Sequence, residues 1–120
     1  MIIHELDVDM NPEGFKQMLN VSQWDSDFGI VIHLQNSRGV FSLESGTTAK
    51  LCGTKPDGTE FETNATIVAG NIVVAGTDAL TSAAGIGELE VCLAHAGKKL
   101  FSQNFLIRVE KKANKEGDNT

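Results

Sequence analysis

The chain has 120 residues, 41% of them hydrophobic and 22% charged, so it can bury the core of one globular domain without cross-links. Its formal net charge of −6 argues against a nucleic acid or an anionic membrane as partner, since both select clustered Lys and Arg. No apolar run reaches the roughly 20 residues of a membrane-spanning helix, and the N-terminus lacks the pattern of a signal peptide. Only two cysteines are present, Cys52 and Cys92, and we expect them to be reduced thiols in a protein folded in a cytosol.

Alternating apolar and polar residues predict β-strands along most of the chain. In 28–34 and 87–93, every second residue is apolar, which is typical of antiparallel strands with one solvated face. Residues 101–109 predict one long strand, although Gln103 interrupts its apolar face. Further strands are predicted at 15–21, where a short helix is the alternative, and at 40–43, 65–68 and 72–74.

The clearest turn signal is the segment Lys55-Pro56-Asp57-Gly58-Thr59. Proline presets φ at the first corner of a β-turn, aspartate tolerates the second, and Gly58 suits the positive φ that follows. The turn therefore reverses the chain and pairs the segments on either side. Other turns are predicted at 11–14, 36–39, 69–71 and 96–98.

One segment departs from the β pattern. Residues 77–85 combine a capping candidate in Asp78, a body of small residues and a glycine stop. We expect a short helical turn near residues 78–84 that buries Leu80 and carries the chain between sheets. Residues 111–120 are too polar to pack and predict a disordered tail, which leaves residues 1–110 as a single domain. Short strands separated by glycine turns indicate an all-β sandwich or barrel.

Carboxylates occur in two pairs. Asp25 and Asp27 could ligate a calcium ion, but no further oxygen ligands follow at loop spacing, so we interpret them as turn-capping residues. Glu88 and Glu90 share one face of a strand, where neighbours sit further apart than a carboxylate pair for glycoside hydrolysis requires. We interpret that pair as a solvated face.

The other chemically active residues are scattered. His4, His33 and His95 have no spacing that would bring two imidazoles onto one metal ion, so no metal site is predicted. Cys52 has no histidine nearby in sequence, which makes it a weak candidate for a catalytic thiol. Because nucleophile-elbow, phosphate-loop and dinucleotide motifs are also absent, the sequence predicts no enzyme and no cofactor.

Trp24 is the sole tryptophan of the chain, and no tyrosine accompanies it. We interpret Trp24 as a partly buried turn anchor or as an interface residue, because tryptophan buries a large area at protein–protein contacts. Trp24 and the adjacent Asp25 are thus the first choice for contact with a partner chain. The alternative is a carbohydrate-binding or adhesin-type sandwich module in which Trp24 stacks on a sugar.

Several motifs follow one another in order over residues 15–110. They are Gln23-Trp24-Asp25-Ser26, the Lys55–Thr59 turn, Thr66-Ile67-Val68 through Val74, Leu80-Thr81 through Gly85-Ile86-Gly87 into Glu88-Leu89-Glu90, and Phe105-Leu106-Ile107-Arg108-Val109. No single motif is specific. Their order and spacing resemble the N-terminal domain of the phage baseplate upper protein family, found in siphophages and prophages of Gram-positive bacteria. Family members usually continue into a helical linker and further domains, which this sequence does not include.

The resemblance implies an immunoglobulin-like antiparallel β-sandwich that acts as a non-enzymatic scaffold in the tail baseplate. Such a domain would attach to the central tail hub and help hold receptor-binding proteins, and exposed sheet edges and the Trp24 turn would contact other tail proteins. The resemblance also implies a homo-oligomer, with a trimer expected, located in the virion tail and assembled in the cytoplasm of the bacterial host.

Overall fold

The structure is a computed structural model that describes residues 1–11, 13, 16–37 and 39–113. Within these ranges it contains strands and one helical turn. In chain order they are β1 Ile2–Asp9, β2 Met18–Ser22, β3 Phe28–Asn36, β4 Gly39–Val40, β5 Thr48–Thr54, β6 Glu60–Val68, β7 Asn71–Ala75, α1 Asp78–Thr81, β8 Gly85–His95, β9 Lys98–Phe101 and β10 Phe105–Glu110. No helix in the described ranges has the length and apolar character needed to cross a bilayer.

The strands form one continuous hydrogen-bonded order, β1-β3-β7-β6-β5-β8-β10-β2, with β4 added to β3 and β9 added to β8. The long strand β6 joins two sheets, because its first part pairs with β5 and its last three residues pair with β7. The prediction of an all-β fold is confirmed, and the sheets wrap around the core as a nearly closed sandwich. The expected antiparallel arrangement is corrected at two strand pairs, since β1 pairs with β3 and β2 with β10 in parallel.

Two glutamine side chains bridge the edge strand β1 to the other sheet. The Asp7 amide donates to Gln17 Oε1 at 2.9 Å, just before β2 begins. The Asp9 backbone amide donates to the side-chain Oε1 of Gln103 at 3.0 Å, and the Gln103 backbone amide donates to the Asp9 carbonyl at 2.9 Å. Along this seam between β1 and the other sheet, the side-chain oxygens of Gln17 and Gln103 therefore take the place of most of a backbone ladder. They accept hydrogen bonds from backbone amides of β1 that face away from β3.

The long strand predicted at 101–109 is two strands in the structure, and this prediction is corrected. The chain leaves β9 after Phe101 and re-enters the sheet at Phe105. Ser102 and Gln103 between them are buried, and Ser102 Oγ accepts a hydrogen bond from the Val91 amide at 2.9 Å. The ladder breaks here because these polar side chains turn inward and bond to backbone groups.

The core lies between the two sheets and consists of the inward-facing residues of the strands. The alternation predicted for 28–34 and 87–93 is confirmed, since the even-numbered residues of the first segment and the odd-numbered residues of the second are buried. The fully buried large apolar side chains are Phe105, Leu19, Ile30, Ile32, Leu34, Leu51, Ile72, Leu80, Leu89, Ile107 and Val8. Together they supply the apolar area that dominates the stability of such a fold.

The helical turn predicted near residues 78–84 is confirmed but is shorter, spanning Asp78–Thr81, and it buries Leu80 as expected. Asp78 lies in its first turn instead of capping it, because Thr77 occupies the extended N-cap position. Gly85 does not stop the helix. It has a φ of 122° and begins β8.

Other boundaries also differ from the predicted ones. The strand expected at 15–21 is β2, which begins at Met18, and Phe15 lies outside the described residues. The strand expected at 40–43 is reduced to the two residues of β4. β1 was not predicted. The turn at 11–14, the turn at 36–39 and the tail at 111–120 lie partly outside the described residues.

Candidate functional site

The predicted Lys55–Thr59 turn is confirmed and joins β5 to β6. The Gly58 amide donates to the Lys55 carbonyl and the Lys55 amide to the Thr59 carbonyl, both at 2.8 Å. Gly58 has a φ of 88°, the left-handed conformation expected from the sequence. Asp57 Oδ1 accepts a hydrogen bond from the Thr59 amide at 2.9 Å, and this bond lowers the pKa of the Asp57 carboxyl.

Trp24 lies in a tight turn directly after β2, with a φ of 71° that non-glycine residues rarely adopt. The turn is closed by the Asp25 amide, which donates to the Ser22 carbonyl at 3.1 Å. Asp25 Oδ2 in return accepts from the Ser22 amide at 3.0 Å, so Asp25 caps its own turn, in line with the turn-capping interpretation. Trp24 itself is half-buried and Asp25 is exposed.

The Trp24 turn is attached to the end of α1. The Trp24 amide donates to the Thr81 carbonyl at 3.1 Å, and the buried Thr81 hydroxyl donates to the Asp25 carbonyl at 2.7 Å. Gln23 Nε2 donates to the Ser82 carbonyl at 2.9 Å. Backbone and side-chain bonds thus hold the Trp24 backbone in place, so the indole is presented from a rigid support.

The Lys55–Thr59 turn also contacts the region around the end of α1. Lys55 Nζ donates to Ser82 Oγ at 2.6 Å. The Pro56 ring covers the strand that begins at Gly85, where a Cβ on Gly85 would lie 3.1 Å from Pro56 Cβ and one on Gly87 would lie 3.1 Å from Pro56 Cδ. The two glycines therefore allow the proline to approach the backbone of β8 closely.

These contacts unite motifs that are far apart in the sequence. We name this region the turn cluster and define it by the residues Gln23, Trp24, Asp25, Lys55, Pro56, Thr81, Ser82, Gly85 and Gly87. The sequence singled out Trp24 and Asp25, but it did not indicate that Thr81 bonds to both of them, or that Ser82 bonds to the adjacent Gln23 and to Lys55. The hydroxyl groups of these two residues were the available signal, because a Thr-Ser pair at the end of a short helix is well suited to bond to a neighbouring turn.

The two carboxylate pairs do not form a site. Asp27 lies 3.7 Å from the N-terminal amine of Met1, away from the capping carboxylate of Asp25. Glu88 and Glu90 lie on the outer face of β8, opposite Thr54 and Cys52 of β5. In the described part of the chain, no group of three His, Cys, Asp or Glu residues is placed to hold a metal ion.

The two cysteines lie on neighbouring strands. Cys52 is opposite Glu90, and Cys92 is opposite Lys50, so the thiols are diagonal neighbours on one face, and both are free. Burial raises the pKa of the Cys52 thiol, and the nearby Cys92 raises it further. A raised pKa reduces the thiolate fraction, which is the opposite of what a nucleophilic cysteine needs.

The three histidines occupy separate environments. His4 packs edge-on against Phe28, with ring centroids 5.7 Å apart. His33 Nε2 lies 3.0 Å from Glu5 Oε1, and His33 Nδ1 lies 3.0 Å from Asn71 Oδ1. The hydrogen bond to Glu5, followed by that to Asn71, raises the pKa of His33. His95 Nδ1 lies 3.4 Å from a carboxylate oxygen of Glu44. Each imidazole therefore has a local structural partner.

The fold is similar to that of the N-terminal domain of phage TP901-1 ORF48, with a TM-score of 0.73 and 14% sequence identity. The match covers 92% of this chain and 100% of that chain. No protein-family model matches the chain, and no curated protein does. At this identity the likeness establishes the fold that the two chains share.

Proposed function

We propose that this chain is a structural domain of a phage or prophage tail baseplate, where it assembles with other tail proteins. The observation that supports this most is the turn cluster, since three of the five motifs that resemble the baseplate upper protein family meet there in one network. The fold adds support, because it is shared with a domain of a phage protein over the whole length of that domain.

In this function the chain binds partners and performs no catalysis. Trp24 and Asp25 form the contact, because the turn holds them in a fixed conformation and little entropy is lost on binding. An immunoglobulin-like arrangement, a trimeric assembly and a location in the virion tail belong to the same proposal, and they follow from the family resemblance.

The test is co-purification of the chain with the tail proteins encoded by neighbouring genes. Trp24→Ala should weaken the complex by at least about tenfold, as expected for a tryptophan at the centre of an interface. Val68→Ala is the control, because it also truncates an apolar side chain, 52% accessible, at a position outside the turn cluster. Thermal unfolding of both variants shows that any loss is not a loss of fold.

Failure of every neighbouring tail protein to bind the wild-type chain would contradict the proposal. A glycan array separates it from the carbohydrate-binding alternative. If the wild-type chain binds a glycan and Trp24→Ala removes that binding, while no tail protein binds, the module interpretation replaces the scaffold.

A further inference from the structure

A second surface lies at the other end of β8. A groove of about 220 Å³ opens between the segment 41–47 and the hairpin of β8 and β9. Its apolar lining comes from Phe41, Leu43, Leu93 and Leu100. This volume is below the roughly 300–1,000 Å³ of pockets for drug-sized ligands, so it suits a few aliphatic side chains better than a cofactor.

One wall of the groove is an open strand edge. In the described part of the chain, β9 pairs with β8 and with no other strand. The Ser102 amide donates to the Val91 carbonyl at 2.9 Å, and amides alternate in direction along a strand. The Leu100 amide therefore faces β8, while those of Lys99 and Phe101 face outward, where another strand could pair with them.

The side chains at this edge divide between two faces. Leu100 lies opposite Leu93 on the groove side, and Phe101 lies opposite Cys92 on the outer side together with Lys99. Leu100 and Phe101 are each 48% exposed. An edge that combines unpaired backbone groups with exposed apolar side chains is the template that strand addition uses.

Charge indicates which strand would fit. The chain as a whole has a net charge of −6, yet Lys98 and Lys99 stand together at the groove and are both exposed. Among the described residues that line the groove, Glu44 supplies the one carboxylate, and it lies beside His95 at 3.4 Å. A second copy of the chain would bring its own two lysines to the same edge, whereas an acidic segment would complement them.

We propose that β9 accepts an extended segment from another protein as an added strand. The segment places aliphatic side chains in the groove beside Leu100 and acidic side chains beside Lys99 on the outer face. Backbone hydrogen bonds to the Lys99 and Phe101 amides supply affinity, and the alternation of aliphatic and acidic residues supplies specificity. The inference rests on the proposed function for the source of the segment, another tail protein, but the groove belongs to this chain alone.

The experiment selects binders from a displayed library of random nonapeptides on the purified full chain. The enriched peptides should alternate aliphatic residues with Asp or Glu. With a selected peptide bound at saturation, hydrogen exchange followed by NMR should slow at the Lys99 and Phe101 amides by at least about tenfold. The Leu100 amide is the internal control, since it already faces β8 and should change little.

Two variants test the side chains. Leu100→Asp should abolish peptide binding, while Val68→Asp, which alters a similarly exposed apolar residue on β6, should leave it unchanged. The double variant Lys98→Glu, Lys99→Glu keeps the apolar groove and should weaken the binding of the acidic peptides by at least about tenfold.

The inference is overturned if no sequence is enriched, if the peptides bind Leu100→Asp as well as the wild-type chain, or if the Lys99 and Phe101 amides gain no protection. Dimerisation of the chain that Leu100→Asp removes would also overturn it, in favour of a second copy as occupant. Failure of tail proteins to co-purify contradicts the proposed function but not a peptide result at β9. A tail protein that binds Leu100→Asp as well as the wild-type chain supports the proposed function but contradicts β9 as the strand that this protein pairs with.

Discussion

At the scale of residues, two glycines next to the same turn are required for different reasons. Gly58 needs its backbone conformation, a φ of 88°, and nothing lies within 4 Å of where a Cβ would stand. Gly53 needs space, because a Cβ there would overlap the Glu88 carbonyl oxygen of the neighbouring strand. The sequence identified the first requirement through the Pro-Asp-Gly pattern. It could not identify the second, because that depends on which strand packs beside β5.

Gly58→Val tests the turn. We expect the free energy of unfolding to fall by about 1–2 kcal/mol, because a β-branched side chain is strained at this positive φ. Gly58→Asn should cost less, since asparagine tolerates the left-handed conformation. Urea unfolding measures both. A Val variant as stable as the wild type would contradict the strain at Gly58.

His33 is the residue for which we expect a pH dependence. Its ring lies 3.0 Å from Glu5 on β1 and 3.0 Å from Asn71 on β7, and Asp7 on β1 adds a negative charge. The hydrogen bond to Glu5 is the main cause that raises the pKa of His33 above its ordinary 6.5, followed by that to Asn71. The folded protein therefore holds this proton more tightly than the unfolded chain. Its contribution to stability is complete below pH 6.5 and is lost as the pH rises through the folded-state pKa.

An NMR titration of the His33 ring measures this shift directly. In the wild type we expect a midpoint above 6.5, and in Glu5→Gln the midpoint should move down towards 6.5 because the main cause is removed. Asp27→Gln removes a carboxylate elsewhere and should leave the midpoint unchanged. A wild-type midpoint at or below 6.5 would rule out the proposed hydrogen bonding.

At the scale of elements, the seam beside β1 depends on side chains. Gln103→Met keeps the approximate volume but removes the acceptor for the partly buried Asp9 backbone amide, so we expect a loss of about 1–3 kcal/mol. Gln17→Met removes the acceptor for the Asp7 amide, which is more exposed and can bond to water instead, so its cost should be smaller. Thermal unfolding of the two variants ranks them, and equal losses would contradict a seam anchored by Gln103.

The same seam shows why strands β3 and β8 were predictable and the break after β9 was not. Alternation is a local pattern, and the central inward residues of β3 and β8 follow it. Gln103 appears in the sequence as one polar residue on an apolar face. Its partner Asp9 is 94 residues away, so no local pattern distinguishes a buried amide from a strand with one mismatch. The parallel partners of β1 and β2 are also distant in sequence, since Ile2 lies opposite Phe28 and Met18 opposite Leu106, and no local pattern indicates either pairing.

At the scale of the whole molecule, the two proposed contact surfaces lie at opposite ends of β8. The turn cluster includes Gly85 and Gly87 at the start of β8, and the groove is lined by Leu93 and His95 near its end. A strand of 11 residues extends over roughly 35 Å, so the two surfaces can bind separate partners at the same time. The sequence predicted two contact residues of the first surface, Trp24 and Asp25, and none of the second, because a groove exists only after the hairpin and the segment 41–47 have packed.

Independence of the two surfaces is a measurable property. We expect the free-energy changes of unfolding in Trp24→Ala and Leu100→Asp to add within about 0.5 kcal/mol in the double variant, since distant sites without shared partners are additive. A double-mutant cycle in urea measures the coupling. A coupling energy well above that limit would mean that the two ends communicate through the sheet.

The pairing of β2 with β10 also has a consequence for the biosynthesis of the chain. Among the strands of the described residues, β2 pairs only with β10, and the register joins Met18 to Leu106 and Ser22 to Glu110. A ribosome makes residues 18–22 early but must complete almost the whole domain before their partner strand emerges. During that interval the apolar residues Leu19 and Val21 have no sheet to join. The domain should therefore acquire its native state late in translation and in one step, instead of strand by strand.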